Sequence, residues 1–274
     1  MFDGKRNTVW WYALAGFSRY RGLIWQLTKR EVMGRYRGSF MGLLWSLLHP
    51  LVMLVVYTFV FSVVFETRWG VGLSSKFEFA IMLFAGMIVH SLFAECLNRA
   101  PVLIIHNVSY VKKVVFPLEI LPCVSLGSAL FHMSVSIGVL LVFFVFSHGF
   151  LNWTAVFLPL LLLPLALLCL GFSWFLASLG VFFRDVGHAT GVVSMILLFL
   201  SPVFYPVSAV PESFRFLVNL NPLTFIIEQV RNVLVLGKLP NWGALVAYCV
   251  LSAVIAWLGF VWFQKTRKGF ADVL

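Results

Sequence analysis

Basic side chains crowd the stretch just ahead of the first long apolar run, which lasts from Met41 to Phe65. The basic residues of this stretch are Arg19, Arg21, Lys29, Arg30, Arg35 and Arg37. A guanidinium donates paired hydrogen bonds to phosphate oxygens, so Arg30, Arg35 and Arg37 are candidates for binding a phosphorylated ligand. Basic residues beside a span also hold its end on the cytoplasmic side. Both roles are open at this point.

The sequence contains no motif typical of nucleotide hydrolysis or of metal binding. The two Gly-Lys pairs, at positions 4 and 237, are not followed by Ser or Thr, so no GxxxxGK[ST] phosphate loop is present. The cysteines lie in or beside apolar runs and lack metal-ligand spacing, so we expect them to pack as small apolar residues. They are Cys96, Cys123, Cys169 and Cys249. We therefore expect no catalytic residue, metal or cofactor on this chain.

A few ionisable residues lie within or between the apolar runs. His90 and His132 lie deep in such runs, and His49 lies near the start of the first one. Intramembrane residues of this kind are candidates for function, but a proton relay also needs carboxylates in mid-span, and the glutamates lie at the ends of runs or between them. We expect hydrogen bonds between helices from the histidines. Glu228 and Arg231, three residues apart, are expected to pair on one helix face.

The composition excludes a soluble domain. The chain is 61% hydrophobic and 11% charged, whereas globular proteins average about 25% charged residues. The net charge of +10 could indicate nucleic acid binding. However, the basic residues flank apolar runs, where they would meet anionic lipid headgroups. We expect membrane lipids as partners and no nucleic acid.

The apolar runs predict an all-α polytopic membrane protein, a single domain over residues 1–274, because about 20 apolar residues cross a bilayer. The six predicted transmembrane helices are Met41–Phe65, Glu78–Leu97, Ile120–Ser147, Trp153–Phe183, His188–Tyr205 and Trp242–Phe263. With the N-terminus inside, most lysines and arginines fall on the cytoplasmic side, as the positive-inside rule requires. Both termini are therefore predicted to be cytoplasmic.

Two further segments are predicted beside these spans. Residues 18–38 are predicted to form an N-terminal amphipathic interfacial helix, because four apolar positions between Tyr20 and Leu27 share one face. Residues 207–241, between spans five and six, are too polar and too rich in proline to cross the membrane. Their short apolar pieces predict two re-entrant helices that dip back from the outer face. A plain surface loop is the alternative for this region.

Five segments, taken in order, resemble those of ABC-type polysaccharide export permeases, nearest to those for lipopolysaccharide O-antigen and wall teichoic acid. They are KREVMGRYRGSFMGLLWSLLHPLVMLVVYTFVF, FPLEILP, LGVFFRDV, SPVFYPVSAVP and NPLTFIIEQVRNVL. The resemblance covers nearly the whole chain. It implies a homodimer of this chain with two copies of a cytoplasmic ATPase subunit, which would bind the ATP and Mg²⁺, in the bacterial inner membrane. The implied cargo is an undecaprenyl-diphosphate-linked polysaccharide, O-antigen before teichoic acid; a small lipid or drug is the alternative.

The resemblance also implies roles for particular residues. Residues 18–38 would form a gate at the cytoplasmic mouth, where Arg30, Arg35 and Arg37 would meet a pyrophosphate. The loop 98–119 would be the coupling helix that docks on the ATPase, and its mixture of apolar and basic residues suits a groove; an interfacial loop held by lipid is the alternative. The coupling candidates are Val102, Ile105, His106, Lys112 and Lys113.

Aromatic residues are the candidates for lining a transport channel. In the resembled family the first and fifth spans line the conduit, and aromatic rings can stack on the apolar faces of sugars. The channel-lining candidates are Trp45, Tyr57, Phe199, Phe204 and Tyr205, and core or lipid packing is the alternative for each. Arg184 and Asp185 follow the fourth span as an RD pair, expected to be structural, with Asp185 capping the fifth span.

Overall fold

The computed structural model describes residues 9–60, 76–112 and 116–274, with side chains from residues 19 and 77 onward in the first two ranges. All regular structure within these residues is helical, joined by short 3₁₀ turns. The helices are α1 Val9–Tyr36, α2 Leu44–Tyr57, α3 Lys76–Arg99, α4 Val108–Lys112, α5 Leu121–His148, α6 Leu158–Phe182, α7 Val186–Leu200, α8 Glu212–Leu220, α9 Pro222–Leu234, α10 Trp242–Thr266 and α11 Phe270–Val273.

Four helices in the described residues are long and apolar enough to cross a bilayer. With their adjoining turns they are Phe77–Val102, Leu118–His148, Trp153–Phe182 and Trp242–Val273. They correspond to predicted spans two, three, four and six. The other two predicted spans are met by shorter apolar helices, Leu44–Val60 and Val186–Leu200. At 1.5 Å per residue the second of these is about 22 Å long, less than the ~30 Å hydrocarbon core, so spans one and five stay predictions.

Helix α3 lies at the centre of the fold. In its most apolar 18-residue stretch, 78% of the residues are buried inside the protein, whereas the corresponding share in the other three long helices is 28–39%. Outside it, α6 and α10 pack in close contact through glycines. A Cβ on Gly259 would lie 2.1 Å from the carbonyl oxygen of Gly171, so no other residue fits there without moving a helix. Small residues at crossings let membrane helices approach closely.

Helix α1 packs its apolar stripe against the start of α5. Leu27 is buried beside Ile120 and Val124. One turn further on, Gly127 makes room for Thr28, whose Oγ1 would lie 2.9 Å from a Cβ at that position. The predicted amphipathic face is therefore covered by protein over these turns, while the interfacial location of the helix stays a prediction.

Two short helices, α8 and α9, occupy the region predicted to be re-entrant. Helix α8 has nine residues and exposes Phe214 and Phe216, whereas α9 has thirteen residues and is largely buried. Asn221 caps α9 by accepting a hydrogen bond from the Leu223 amide at 2.9 Å. The region is helical rather than a plain loop, and its dip into the membrane stays a prediction.

Candidate functional site

An ion-pair network joins the last turns of α1 to the last turns of α3. Arg35 pairs with Glu95, and Arg99 pairs with Glu31. Arg99 also lies 3.4 Å from the Glu95 carboxylate, on the same oxygen, Oε1, that Arg35 contacts. Each of the four side chains is between a fifth and a third exposed. The alternating charges therefore fasten the predicted gate helix to the central helix.

Sequence reasoning selected Arg35 but missed its three neighbours in this network. Glu31 and Arg35 are four residues apart, and so are Glu95 and Arg99, which is the usual spacing for pairing within a helix. The structure instead pairs Arg35 across helices. The signal available in the sequence was that both segments carry a glutamate and an arginine four residues apart beside an apolar run. The phosphate role of Arg35 stays a prediction.

A cavity of about 410 Å³ opens beside the network, between α1, α2, α3 and α5. It brings together one gate candidate, Arg35, and two channel candidates, Trp45 and Tyr57. On its wall, the Tyr36 hydroxyl lies 3.2 Å from Nδ1 of His132. Burial raises the pKa of the Tyr36 phenol above its usual value, so this group stays a neutral hydroxyl. The cavity thus combines aromatic rings with hydrogen-bonding groups.

The other three channel candidates lie elsewhere, around the end of α7. The Tyr205 hydroxyl donates to the carbonyl oxygen of Phe199 at 3.0 Å. The rings of Phe199 and Phe204 have centroids 6.0 Å apart. Phe199 is exposed, whereas Phe204 packs against the main core. The five aromatic candidates therefore form two separate groups in one subunit.

A basic groove of about 700 Å³ runs along the outer side of α1 toward the α1–α2 connection. Lys29, Arg30 and Arg37 line it together with Met33 and other neutral residues, and none of the described residues on its walls is acidic. Arg37 is exposed. Three cations with weak local compensation favour binding of an anion. Two of the three predicted phosphate ligands thus share this groove, and Lys29 joins them.

Arg30 also links α1 to the predicted coupling segment. Its Nη2 donates to the Tyr110 hydroxyl at 2.9 Å, and the Tyr110 ring stacks on Phe116 at 4.3 Å. A second cavity, of about 460 Å³, lies between the two elements and is lined by Arg30, Val102 and His106 among others. The predicted gate and the predicted coupling segment are therefore in direct contact.

The coupling segment is built from 3₁₀ turns and α4, and it packs against the C-terminal residues. Lys112 donates to the main-chain carbonyl oxygen of Leu274. His106 is exposed and Ile105 half-buried. Lys113 lies outside the described residues. The docking role of these residues stays a prediction.

The last residues of the coupling segment are anchored to the C-terminal halves of α6 and α10. Arg267 pairs with Glu119 at 2.8 Å, and Nε1 of Trp174 donates to the main-chain carbonyl oxygen of Glu119 at 3.0 Å. Phe270, in α11, is completely buried in the same cluster. The coupling segment therefore rests on a fixed base at one end and contacts α1 at the other.

Arg231 is a deeply buried charged residue in the region between the predicted fifth and sixth spans. Its predicted pairing with Glu228 is confirmed at 3.3 Å. The side chain is only 2% exposed, however, and it donates to main-chain carbonyl oxygens of α3 and the segment after α7. Its acceptors are Met82 at 2.9 Å, Pro202 at 2.6 Å and Val203 at 2.8 Å. Arg231 is therefore an internal brace and not a charge of an outer loop.

Two smaller expectations have mixed outcomes. His90 bonds across helices as expected, because its Nε2 lies 3.1 Å from the carbonyl oxygen of Ser194. Asp185 does lie at the N-cap of α7, but its side chain makes no capping hydrogen bond, so the capping prediction is wrong. Arg184 and Asp185 are both exposed, and their structural role stays a prediction.

Comparison with known proteins identifies the family. Residues 22–235 match the family of ABC-2 type transporters. The chain belongs to this family. It is therefore a transport permease rather than an enzyme, as its resemblance to export permeases implied, and its long apolar helices fit a multi-pass membrane protein.

Curated relatives align over nearly their full length. The O-antigen export system permease protein RfbA of Myxococcus xanthus is 29% identical over 93% of this chain and 96% of the relative. A protein of the same name from Klebsiella pneumoniae is 26% identical over 90% and 93%. The polysialic acid transport protein KpsM of Escherichia coli is 21% identical over 93% and 97%.

Proposed function

We propose that this ABC-2 permease is the transmembrane subunit of an exporter that moves an undecaprenyl-diphosphate-linked polysaccharide, O-antigen, across the inner membrane. The observation that carries the proposal is the near full-length similarity to relatives named as O-antigen export permeases. A separate ATPase subunit supplies the energy and binds ATP and Mg²⁺. No covalent chemistry is assigned to this chain.

The assembly is proposed to be a homodimer of this chain with two ATPase subunits. Helix α2 supports a partner within the membrane, since it leaves an apolar face exposed over its whole length, including Leu44, Leu51 and Val55. Both termini are proposed to be cytoplasmic. In support, Arg30 of α1 contacts the coupling segment, and the C-terminal Leu274 accepts a hydrogen bond from Lys112 of the same segment.

The proposed path starts at the basic groove. The diphosphate of the carrier lipid binds between Lys29, Arg30 and Arg37, since arginine and lysine bind phosphate oxygens strongly. The glycan then follows the polar, aromatic cavity beside Trp45 and Tyr57. Closure of the ATPases reaches the gate through loop 98–119, and the Arg30–Tyr110 hydrogen bond and the Arg99–Glu31 ion pair are two of the contacts between the two elements.

The test is ATPase activity in lipid nanodiscs. The chain is purified alone and with the ATPase encoded beside it, and lipid-linked O-polysaccharide is added to each. We expect activity only in the complex, and we expect the glycolipid to change it. Activity of the chain alone, or a complex indifferent to the glycolipid, contradicts the proposal. Lipid-linked polysialic acid serves as the competing substrate, because KpsM relatives are named for that polymer.

A further inference from the structure

The two halves of α1 are held by different kinds of contact. Leu27 and its neighbours bind the start of α5 through apolar packing. The last turns are instead held to α3 by the ion pairs of Arg35 with Glu95 and of Arg99 with Glu31. An anion does not weaken apolar packing, but it competes directly for an arginine. Only the C-terminal part of α1 is therefore open to displacement by a phosphorylated ligand.

We propose that Glu95 is a carboxylate latch, which occupies Arg35 in the closed gate and which the diphosphate of the substrate displaces. This inference rests on the proposed function, because it takes a lipid diphosphate as the ligand. Glu95 is a positioning residue in this scheme and does not contact the substrate. It makes opening of the gate depend on the arrival of the phosphate groups.

The geometry makes Glu95 suited to this role. Arg35 and Arg99 approach the same oxygen of its carboxylate, so one acidic group compensates two guanidinium groups. The network as a whole contains two acidic and two basic residues. A diphosphate carries more charge and more acceptor oxygens than one carboxylate, and it offers paired acceptors to a guanidinium. It can therefore take Arg35 from Glu95 while Arg99 keeps Glu31.

The backbone beyond the latch permits movement. Gly38 and Gly42 in the α1–α2 connection have φ angles of 85° and 52°, in the left-handed region that favours glycine. A Cβ at either position would meet nothing within 4 Å, so the connection is not packed against the body of the protein. Release of Arg35 therefore leaves the end of α1 held by the Arg99–Glu31 pair and the Tyr36–His132 contact, next to a loosely packed connection.

The neighbouring basic groove gives the displacement a starting point. Arg37 lies two residues after Arg35 and lines the groove together with Lys29 and Arg30, whereas Arg35 lines the cavity on the other side. Tyr36 contributes to the walls of both. A diphosphate bound first in the groove is therefore placed beside the end of α1 that the latch holds.

A latch of this kind lowers the apparent affinity for the ligand. When the binding-competent state is only a fraction of the population, the apparent Kd rises by the inverse of that fraction. Removing the latch abolishes this penalty. The substitution Glu95→Gln keeps the size of the side chain and leaves Arg99 paired with Glu31, so we expect it to tighten binding of undecaprenyl diphosphate about tenfold, the equivalent of one charge-assisted hydrogen bond. Arg35→Gln should weaken binding.

The experiment measures the Kd of undecaprenyl diphosphate for the permease–ATPase complex in nanodiscs, with undecaprenol as the uncharged control lipid. Glu78→Gln is the matched control variant, because Glu78 lies at the opposite end of α3 and is similarly exposed, at 20% against 22% for Glu95. We expect this control to bind like the wild type. The double substitution Arg35→Gln with Glu95→Gln should bind no tighter than Arg35→Gln alone, because the latch acts only through Arg35.

The outcomes separate the latch from the proposed function. If the wild type does not prefer undecaprenyl diphosphate to undecaprenol, the diphosphate substrate itself is wrong. If it has that preference and Glu95→Gln binds no tighter, or weaker, the latch is refuted while the proposed function stands. A merely structural role for Glu95 predicts weaker binding and a lower melting temperature, and the melting temperature is measured on the same samples.

Discussion

Replacing Arg231 by glutamine removes the guanidinium that ties α9 to α3 and to the segment after α7. The variant loses the three hydrogen bonds that Arg231 donates to the main-chain carbonyl oxygens of Met82, Pro202 and Val203. Hydrogen bonds from a charged donor contribute about 1.5–3 kcal/mol each, and breaking a buried ionic arrangement typically costs about 3–5 kcal/mol. The Glu228 pair adds little, because that carboxylate is 39% exposed. We expect a loss of about 4 kcal/mol, allowing for relaxation of the freed carbonyls.

The assay is thermal unfolding of the purified permease in detergent. The fraction that stays folded is measured by size-exclusion chromatography of samples heated to a series of temperatures. A loss of that size lowers the melting temperature by about 10 °C for a chain of this length. The matched control is Arg215→Gln, since Arg215 also bonds to carbonyl oxygens of its own region but is 40% exposed. We expect a small change there. A glutamine variant of Arg231 as stable as the wild type, or an equal loss for Arg215→Gln, would refute the assignment of Arg231 as an internal brace.

Three more variants test other parts of the account. Combined replacement of Arg30 and Arg37 by glutamine should weaken binding of undecaprenyl diphosphate, measured as a Kd in nanodiscs, and should reduce its salt dependence, because the groove loses two cations. Trp45→Ala should reduce stimulation of the ATPase by lipid-linked polysaccharide more than it reduces binding of the lipid diphosphate alone. The reason is that the Trp45 ring lines the cavity and not the basic groove. Equal effects on stimulation and on binding would contradict that assignment. Gly259→Val should lower the melting temperature by several degrees, because its Cβ would overlap the α6 backbone, whereas Gly138→Val, with nothing within 4 Å, should not.

The long helices were predictable because their signal is local. Runs of about 20 apolar residues are long enough to cross the hydrocarbon core whatever surrounds them, and four of the six predicted spans coincide with helices of sufficient length and hydropathy. The described helices at predicted spans one and five are shorter, and residues 61–65 of span one lie outside the described residues. Val186–Leu200 ends before Ser201 and Pro202, where the chain turns to supply acceptors to Arg231. Pro202 accounts for that end locally, because a proline disfavours the helical conformation at the residue before it and Ser201 is extended.

The candidate site was only partly predictable, because its contacts join residues that are far apart in the sequence. The basic cluster of α1 is visible as a run of residue types, and two of its arginines line one groove. The pairing of Arg35 with Glu95 joins residues 60 positions apart, and the i,i+4 spacing of both helices favours a different pairing. Likewise, Arg231 lies in the region 207–241 outside the predicted spans, whereas packing of α9 against α3 buries it. Contacts between helices are set by the fold and not by local spacing.

The most direct measurement of the central claim is movement of the glycan itself. The permease–ATPase complex is reconstituted in liposomes, lipid-linked O-polysaccharide is supplied on the ATPase side, and protection of the glycan from an added glycosidase is followed over time. The account predicts that protected glycan accumulates with ATP and not with a non-hydrolysable analogue, and that liposomes with either subunit alone accumulate none. Accumulation without ATP hydrolysis, or no accumulation by a complex that hydrolyses ATP in response to the glycolipid, would contradict it.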